Sequence, residues 1–300
     1  MASGKVFGKL FISAGAMKAG TTWLYDLLLR HPELHFTLEK ELHYFYDRDV
    51  WARSRDVLRL PRQLSKAHRM RKVRERYLNR IDPDHDSPDE IRAKRDWIAG
   101  YLKHPVDDAW YWNLFAQRPE GTWACDFSNL YARLSARNWR RIAAQSEELK
   151  VLYTMRDPLE RMWSHVKFYQ EQTGQAATAE SWTPAQYRRF FANPGVRVHT
   201  DYGRVVRNLR AGLGDGALKL MFYEEIHADR RAALRQVETF LGVAPFDYPE
   251  GLLERRMAQS RVRPMPAFLP ELFGRQVARI VKDLQGEGVE VPAGWGIGRG

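Results

Sequence analysis

Apolar residues along the chain fall into short unbroken runs, each followed by a stretch in which they recur every three or four positions. Residues 9–14 (KLFISA), 148–155 (ELKVLYTM) and 217–223 (ALKLMFY) are the runs. Unbroken runs of this length predict strands covered on both faces, rather than half-exposed strands whose side chains alternate. A glycine-containing turn separates the first run from a helix expected over 21–30, with Trp23, Leu24, Leu27 and Leu28 on its apolar side. Asp157-Pro158 opens a second helix, running to about residue 170, in the favoured N-cap and N1 arrangement. A third helix is predicted over 230–241 and stopped by Gly242. Strand–helix alternation of this kind predicts an α/β protein with a mainly parallel sheet.

No internal repeat or low-complexity linker interrupts this order, so residues 1–300 read as a single domain with a helical insertion at about 48–105. A chain of 300 residues with 44% hydrophobic content hides roughly 75% of its unfolded surface and needs no covalent staple. Its one cysteine, Cys125, permits no internal disulfide and suits a reducing compartment. The uncharged stretch 10–17 is far short of the ~20 apolar residues of a membrane span, and it does not form a signal peptide. The expected setting is cytoplasmic.

The 48 Lys and Arg against 37 Asp and Glu give a net charge of +11. Residues 51–80 hold eleven basic side chains and two acids, so most of the excess sits in one segment. Its sparse apolar residues suit a helical excursion with a narrow buried stripe; its charge suits a basic rim that attracts an anionic acceptor or lipid surface. Trp51 and Tyr77 are its only large stacking aromatics, and no binding motif is present, so a nucleic-acid partner is not expected. The following 82–90 (DPDHDSPDE) reads as an acidic surface turn.

Candidate chemistry begins between the first strand and helix, at G-A-M-K-A-G-T-T (15–22). Glycines allow close backbone approach, and the start of the helix offers unbonded N–H groups and a partial positive charge, which together form an anion site. A Walker loop would read G-x-x-x-x-G-K-[ST]. Here Thr21 follows Gly20, and the lysine, Lys18, lies two positions before that glycine. The lysine that grips the β and γ phosphates of ATP is thus absent, as is an evident magnesium-binding acid pair, which disfavours a nucleotide kinase.

K-A-G-T-T-W (18–23) closely resembles the 5′-phosphosulfate loop of sulfotransferases that use 3′-phosphoadenosine 5′-phosphosulfate (PAPS). Residues 151–165 (VLYTMRDPLERMWSH) are similar to the same family's 3′-phosphate motif, a strand ending in Arg with a Ser eight residues later, here Arg156 and Ser164. An arginine at a strand's end and a serine two turns into the next helix can converge on one phosphate. K-E-L-H-Y-F (40–45) resembles the K-E-x-H-F-F segment of heparan-type and related carbohydrate sulfotransferases, and 121–131 (GTWACDFSNLY) their Tyr-bearing substrate segment, with Asp126 in place of the commoner glutamate. Residues 218–225 and the helix ending F-L-G-V are similar to the family's third sheet element. The resemblance covers about 5–45 and 110–245, leaving the basic insertion unmatched.

It implies a P-loop-like three-layer sandwich, a mainly parallel central sheet flanked by helices. It also implies in-line sulfuryl transfer from PAPS to a hydroxyl or amine, releasing PAP. The loop from Lys18 through Ala19, Gly20, Thr21 and Thr22 would hold the 5′-phosphosulfate, with Trp23 near the adenine. Lys18 would neutralise charge on the bridging oxygen, and Glu41, with a pKa raised by partial burial, would be the base. His43 is the runner-up base or an orienting group. Arg156 and Ser164, with Arg261 and Arg263 from S-R-V-R-P-M-P, would hold the 3′-phosphate, and Asp126 and Tyr131 would contact the acceptor. No metal is implied, and His31 and His35 lack the H-E-x-x-H pattern. The acceptor stays open among small molecules, lipids and carbohydrates, as does the oligomeric state. Because the eukaryotic carbohydrate enzymes are generally anchored, a bacterial cytoplasmic enzyme is expected. The competing readings are a P-loop kinase and a non-catalytic PAP-binding module docked on anionic lipid or polyanion.

Overall fold

The computed structural model describes residues 5–53, 65–174, 182–254 and 263–295. Five strands, β1 (Phe7–Ser13), β2 (Leu34–Phe36), β3 (Trp123–Phe127), β4 (Ser146–Met155) and β5 (Leu218–Phe222), form one sheet in the order β2-β3-β1-β4-β5. Every pairing is parallel. The three apolar runs are the central strand and the two beside it on one flank, which is why their sequences signal so strongly. β2 and β3 were not expected as strands. β2 has only three residues, and polar Asp126 interrupts the apolar character of β3.

Successive side chains of a strand face opposite sides, and here each side meets its own apolar layer. Leu10 and Ile12 of β1, with Val151, Tyr153 and Met155 of β4, pack on helix Ala136–Gln145 and on helix Tyr202–Gly212. Phe11 and Leu152 point the other way, onto the first helix, α1 (Thr21–Leu28), and onto helix Arg230–Leu241. The result is a helix–sheet–helix sandwich, as the family resemblance implies, around the parallel sheet expected from the alternation. Gly242 ends helix Arg230–Leu241 in the left-handed conformation, as a glycine C-cap does.

The insertion contains α2 (Tyr44–Arg53), α3 (Lys66–Lys72) and α4 (Pro88–Leu102), followed by α5 (Asp108–Asn113). Val73, Tyr77, Trp97 and Tyr101 belong to the same apolar cluster as Leu10 and Ile12, so this segment is packed into the body. Two of its basic residues serve the fold. Arg69 is buried, donates to the Lys103 carbonyl (3.0 Å) and lies 5.3 Å over the Trp110 ring. Lys72 pairs with buried Glu39 at 3.2 Å. Arg71, Arg74 and Arg76 are exposed, whereas residues 54–64, with Arg55, Arg59 and Arg62, lie outside the described residues. The acidic turn ends by starting α4, where Ser87 and Glu90 form a reciprocal capping box.

The last helices needed for the site are α6 (Ala136–Gln145) and α7 (Pro158–Gln172). Asp157 caps α7 by accepting from the Glu160 N–H at 2.9 Å, as the Asp-Pro pair predicts. Among the described residues, no helix is long and apolar enough to cross a membrane.

Candidate active site

Strand order reverses direction at the junction of β1 and β4, and in an open parallel sheet such a switch point leaves a crevice beyond the strands' C-terminal ends. The chain leaves β1 into the loop 14–20 and leaves β4 into Arg156, so both phosphate motifs open at this crevice. The N-terminus of α1 differs from that of α7, the helix that follows β4. α4, α6 and α7 are capped by Ser87, Ser135 and Asp157, whereas α1 begins at Gly20 with no side-chain cap and no acid in its first turn. Its leading amides are therefore left for an anion.

Gly20 has φ +83°, and a Cβ there would lie 2.9 Å from Cδ2 of Tyr223. The other side of this relationship is functional, because the Tyr223 ring also carries the Arg156 guanidinium, 4.5 Å from its centroid. One ring thus joins the two motifs. Gly20→Ala combines a forbidden φ with a clash, so we expect at least tenfold weaker PAP binding by calorimetry; unchanged affinity would mean that the loop does not hold the nucleotide in this conformation.

Positive charge gathers around the loop. Lys18 places its ammonium 4.5 Å from the Phe168 ring centroid on α7. Burial lowers its pKa; Glu171 opposes that shift, while nearby Arg156, Lys167 and Lys40 add to it. Lys40 donates to the Thr22 hydroxyl at 2.8 Å. Arg156 donates to Glu160 at 3.2 Å, and its buried Nε has no hydrogen-bond partner among the described residues. Ser164 is nearly buried on α7, where its neighbour Trp163 donates to the Arg263 carbonyl at 3.2 Å and so brings that chain alongside. Lys167, three residues beyond Ser164, also has a lowered pKa, from burial first and then Arg156, with Arg263 a smaller contribution. Arg261 lies outside the described residues. Several cations crowded at one crevice repel one another, and a multiply charged anion would relieve that repulsion.

Glu41 and His43 stand beside this cluster. His43 Nε2 donates to Glu41 Oε2 at 3.2 Å, and Asn129 Nδ2 donates to Glu41 Oε1 at 2.9 Å. Lys18, Glu41 and His43 have φ of 68°, 66° and 56°, and among the described residues they are the only non-glycine positions with positive φ. That conformation costs an L-residue roughly 1–2 kcal/mol, and such strain concentrates at functional sites. The expected raised pKa of Glu41 is not found. Burial does push it up, but the hydrogen bond and charge of His43, with Lys40 and Lys72, outweigh burial and hold it below 4.5.

Comparisons with known proteins bear on the family and the fold. The sequence profile of the sulfotransferase family matches residues 10–248. The chain belongs to that family. No curated protein sequence matches it. Among solved structures, it is similar to a sulfotransferase from Alicyclobacillus acidocaldarius, with TM-score 0.59 and 18% identity over 96% of this chain and 98% of that one. It is also similar to the sulfotransferase domain of the curacin biosynthetic pathway, with TM-score 0.54 and 17% identity over 96% and 100%. The corresponding domain of the Synechococcus PCC 7002 olefin synthase has TM-score 0.50 and 18% identity over 95% and 96%. At these identities the solved structures speak for the fold.

Three residues expected at the ligands of this sulfotransferase are buried. Asp126 and Tyr131 are buried beneath the site, where the Asp126 carboxylate accepts from Tyr131 (2.7 Å), Tyr111 (3.0 Å) and Ser128 (2.6 Å). Burial raises the pKa of Asp126, and those three donors counter it. Ser128 Oγ in turn accepts from the His43 N–H at 3.0 Å, so Asp126 supports the left-handed backbone at His43 from below. Trp23 is 3% exposed, donates to the Leu253 carbonyl at 3.3 Å and packs on His227, which makes its ring part of the layer behind α1.

Four residues of this sulfotransferase's site were not singled out from sequence. Lys40 and Asn129 stand inside the matched segments, Lys167 shares the helical face of Ser164, and Tyr223 follows β5 directly. The first three carry a spacing signal. Nothing in the sequence marks Tyr223, whose importance comes from facing Gly20 across the fold.

Proposed function

We propose that this sulfotransferase moves a sulfuryl group from PAPS to a hydroxyl or amine acceptor by in-line displacement, as one domain spanning residues 1–300. The observation that carries the reading is an uncapped helix N-terminus at the sheet's switch point, surrounded by Lys18, Lys40, Arg156 and Lys167. The donor set fits PAPS: a glycine cradle under Tyr223, an orphaned Arg156 Nε and cations at two positions suit a nucleotide charged at both ends.

PAPS, when bound, supplies the activated sulfuryl group and the PAP leaving group. The amides at the start of α1 and the Thr21 and Thr22 hydroxyls hold the 5′ end. Arg156, Ser164, Lys167 and Arg263 hold the 3′-phosphate, which separates PAPS from ATP. Lys18 stabilises the negative charge that develops on the bridging oxygen. Glu41, the more exposed member of its pair, with 35% of its side chain accessible against 13% for His43, takes the acceptor's proton. His43 orients it. A carboxylate held below the ordinary value is a weak base in the resting state, so the proton moves late, after bonding to sulfur has acidified the acceptor.

Thermal denaturation with PAP and with ATP plus magnesium tests the assignment. PAP at a hundred times its Kd should stabilise the fold by about 2.7 kcal/mol, and a larger shift with ATP and magnesium would overturn it. Labelled PAPS incubated with fractionated extracts, followed by mass spectrometry for an added sulfuryl group, identifies the acceptor.

A further inference from the structure

Beyond the groups already given a role, the base has a second donor that is tied to the phosphate loop. We propose that Asn129 is a positioning residue that fixes the Glu41 carboxylate relative to the phosphate loop. The proposal rests on Glu41 as the base.

The segment 127–129 grips residues 41–43 at successive points. The Phe127 carbonyl accepts from the Glu41 N–H at 3.1 Å, Ser128 Oγ accepts from the His43 N–H, and Asn129 Nδ2 donates to Glu41 Oε1 at 2.9 Å. The first two fix backbone. Asn129 alone of these touches the carboxylate, and with His43 on Oε2 each oxygen has one donor. A carboxylate oxygen has two lone pairs, so Oε1 keeps one for an acceptor hydroxyl. The same residue is set against the loop at its other end, because a Cβ on Gly15 would lie 3.2 Å from the Asn129 carbonyl oxygen. Asn129 therefore spans from the first residue of the phosphate motif to the base.

Residue type matters here. An amide donates without charge, whereas a carboxylate at 129 would put two anions in contact and raise the Glu41 pKa. The other charged or titratable groups facing Glu41 are His43, Lys40, Lys72 and, from the turn Val198–Thr200, His199. A serine at 129 retains a donor of shorter reach.

The test is the carboxyl-carbon NMR titration of Glu41 in full-length protein labelled with δ-carbon-13 glutamate, assigned by the resonance missing in Glu41→Gln. It is paired with PAP calorimetry and with transfer kinetics on the acceptor found by the extract screen. Asn129→Asp should raise the Glu41 midpoint by about one pH unit or more, with PAP affinity unchanged within about twofold. Asn129→Ala should lower kcat by about tenfold, move the acid limb of the rate profile upward, and leave the KM for PAPS unchanged. Asn129→Ser should recover part of both. PAP affinity also reports that each variant is folded. A Glu41 midpoint that stays put in Asn129→Asp overturns the proposal, as does loss of PAP binding with no movement of the acid limb. If Glu41→Gln retains transfer while Asn129→Asp still moves the midpoint, the base assignment has failed and the contact stands.

Discussion

Glu41→Gln is expected to reduce sulfuryl transfer by about 10²–10⁴-fold, the range typical of removing a positioned general base, while PAP affinity stays within about twofold. The substitution keeps shape and volume. Glutamine can still accept from Asn129 through its carbonyl oxygen, so the segment 41–43 should keep its backbone hydrogen bonds to Phe127 and Ser128. What disappears is the charge that receives the proton. The pH profile gives a second, independent signature. His43, Lys40 and Lys72 together hold the Glu41 pKa below 4.5 against the opposing effect of burial, so the carboxylate is ionised throughout the neutral range. Wild-type kcat should be flat there and fall only as pH drops through that lowered pKa. An acid limb near neutrality, or turnover surviving in Glu41→Gln, would transfer the base role to His43.

Lys18→Ala should cost about 10²–10³-fold in kcat, comparable to losing one preorganised donor at a developing oxyanion, and should weaken PAP as well. The lysine is pressed toward neutrality first by burial and then, against the opposing Glu171, by Arg156, Lys167 and Lys40. Its deletion therefore removes the cost of burying a charge in the free protein, and the thermal midpoint without nucleotide should hold or rise. A loss of activity accompanied by a gain in unliganded stability is hard to explain by misfolding. Turnover at the wild-type rate in single-turnover experiments with labelled PAPS would remove Lys18 from the bridging oxygen.

How much of this was readable in sequence differs from element to element. β1, β4 and β5 announce themselves because a strand covered on both faces is apolar throughout, and Asp157-Pro158 and Gly242 place helix ends by local chemistry. β2 is too short for any periodicity, and β3 contains Asp126, whose polarity is compensated by Tyr111, Tyr131 and Ser128 only in three dimensions. The motif match that singled out Asp126 carries no sign of that burial. Pattern matching marks which residues matter without saying whether they act on the ligand or on a neighbour. Trp23 shows the same limit on a helix: its place in the loop motif says nothing of its partners, which are the Leu253 carbonyl and the His227 ring. The lowered pKa of Glu41 was likewise invisible, since against burial it depends first on the hydrogen bond from His43, a contact made only in three dimensions.

The left-handed backbone at Lys18, Glu41 and His43 has an evolutionary corollary. Glycine is the residue that relaxes such positions at least cost, so a population selected only for heat resistance would drift toward glycine at 18, 41 and 43. Each step would make a sturdier protein and a poorer enzyme. Side chains retained at all three sites in natural variants would then be a record of selection for turnover, legible without knowing what the enzyme sulfates.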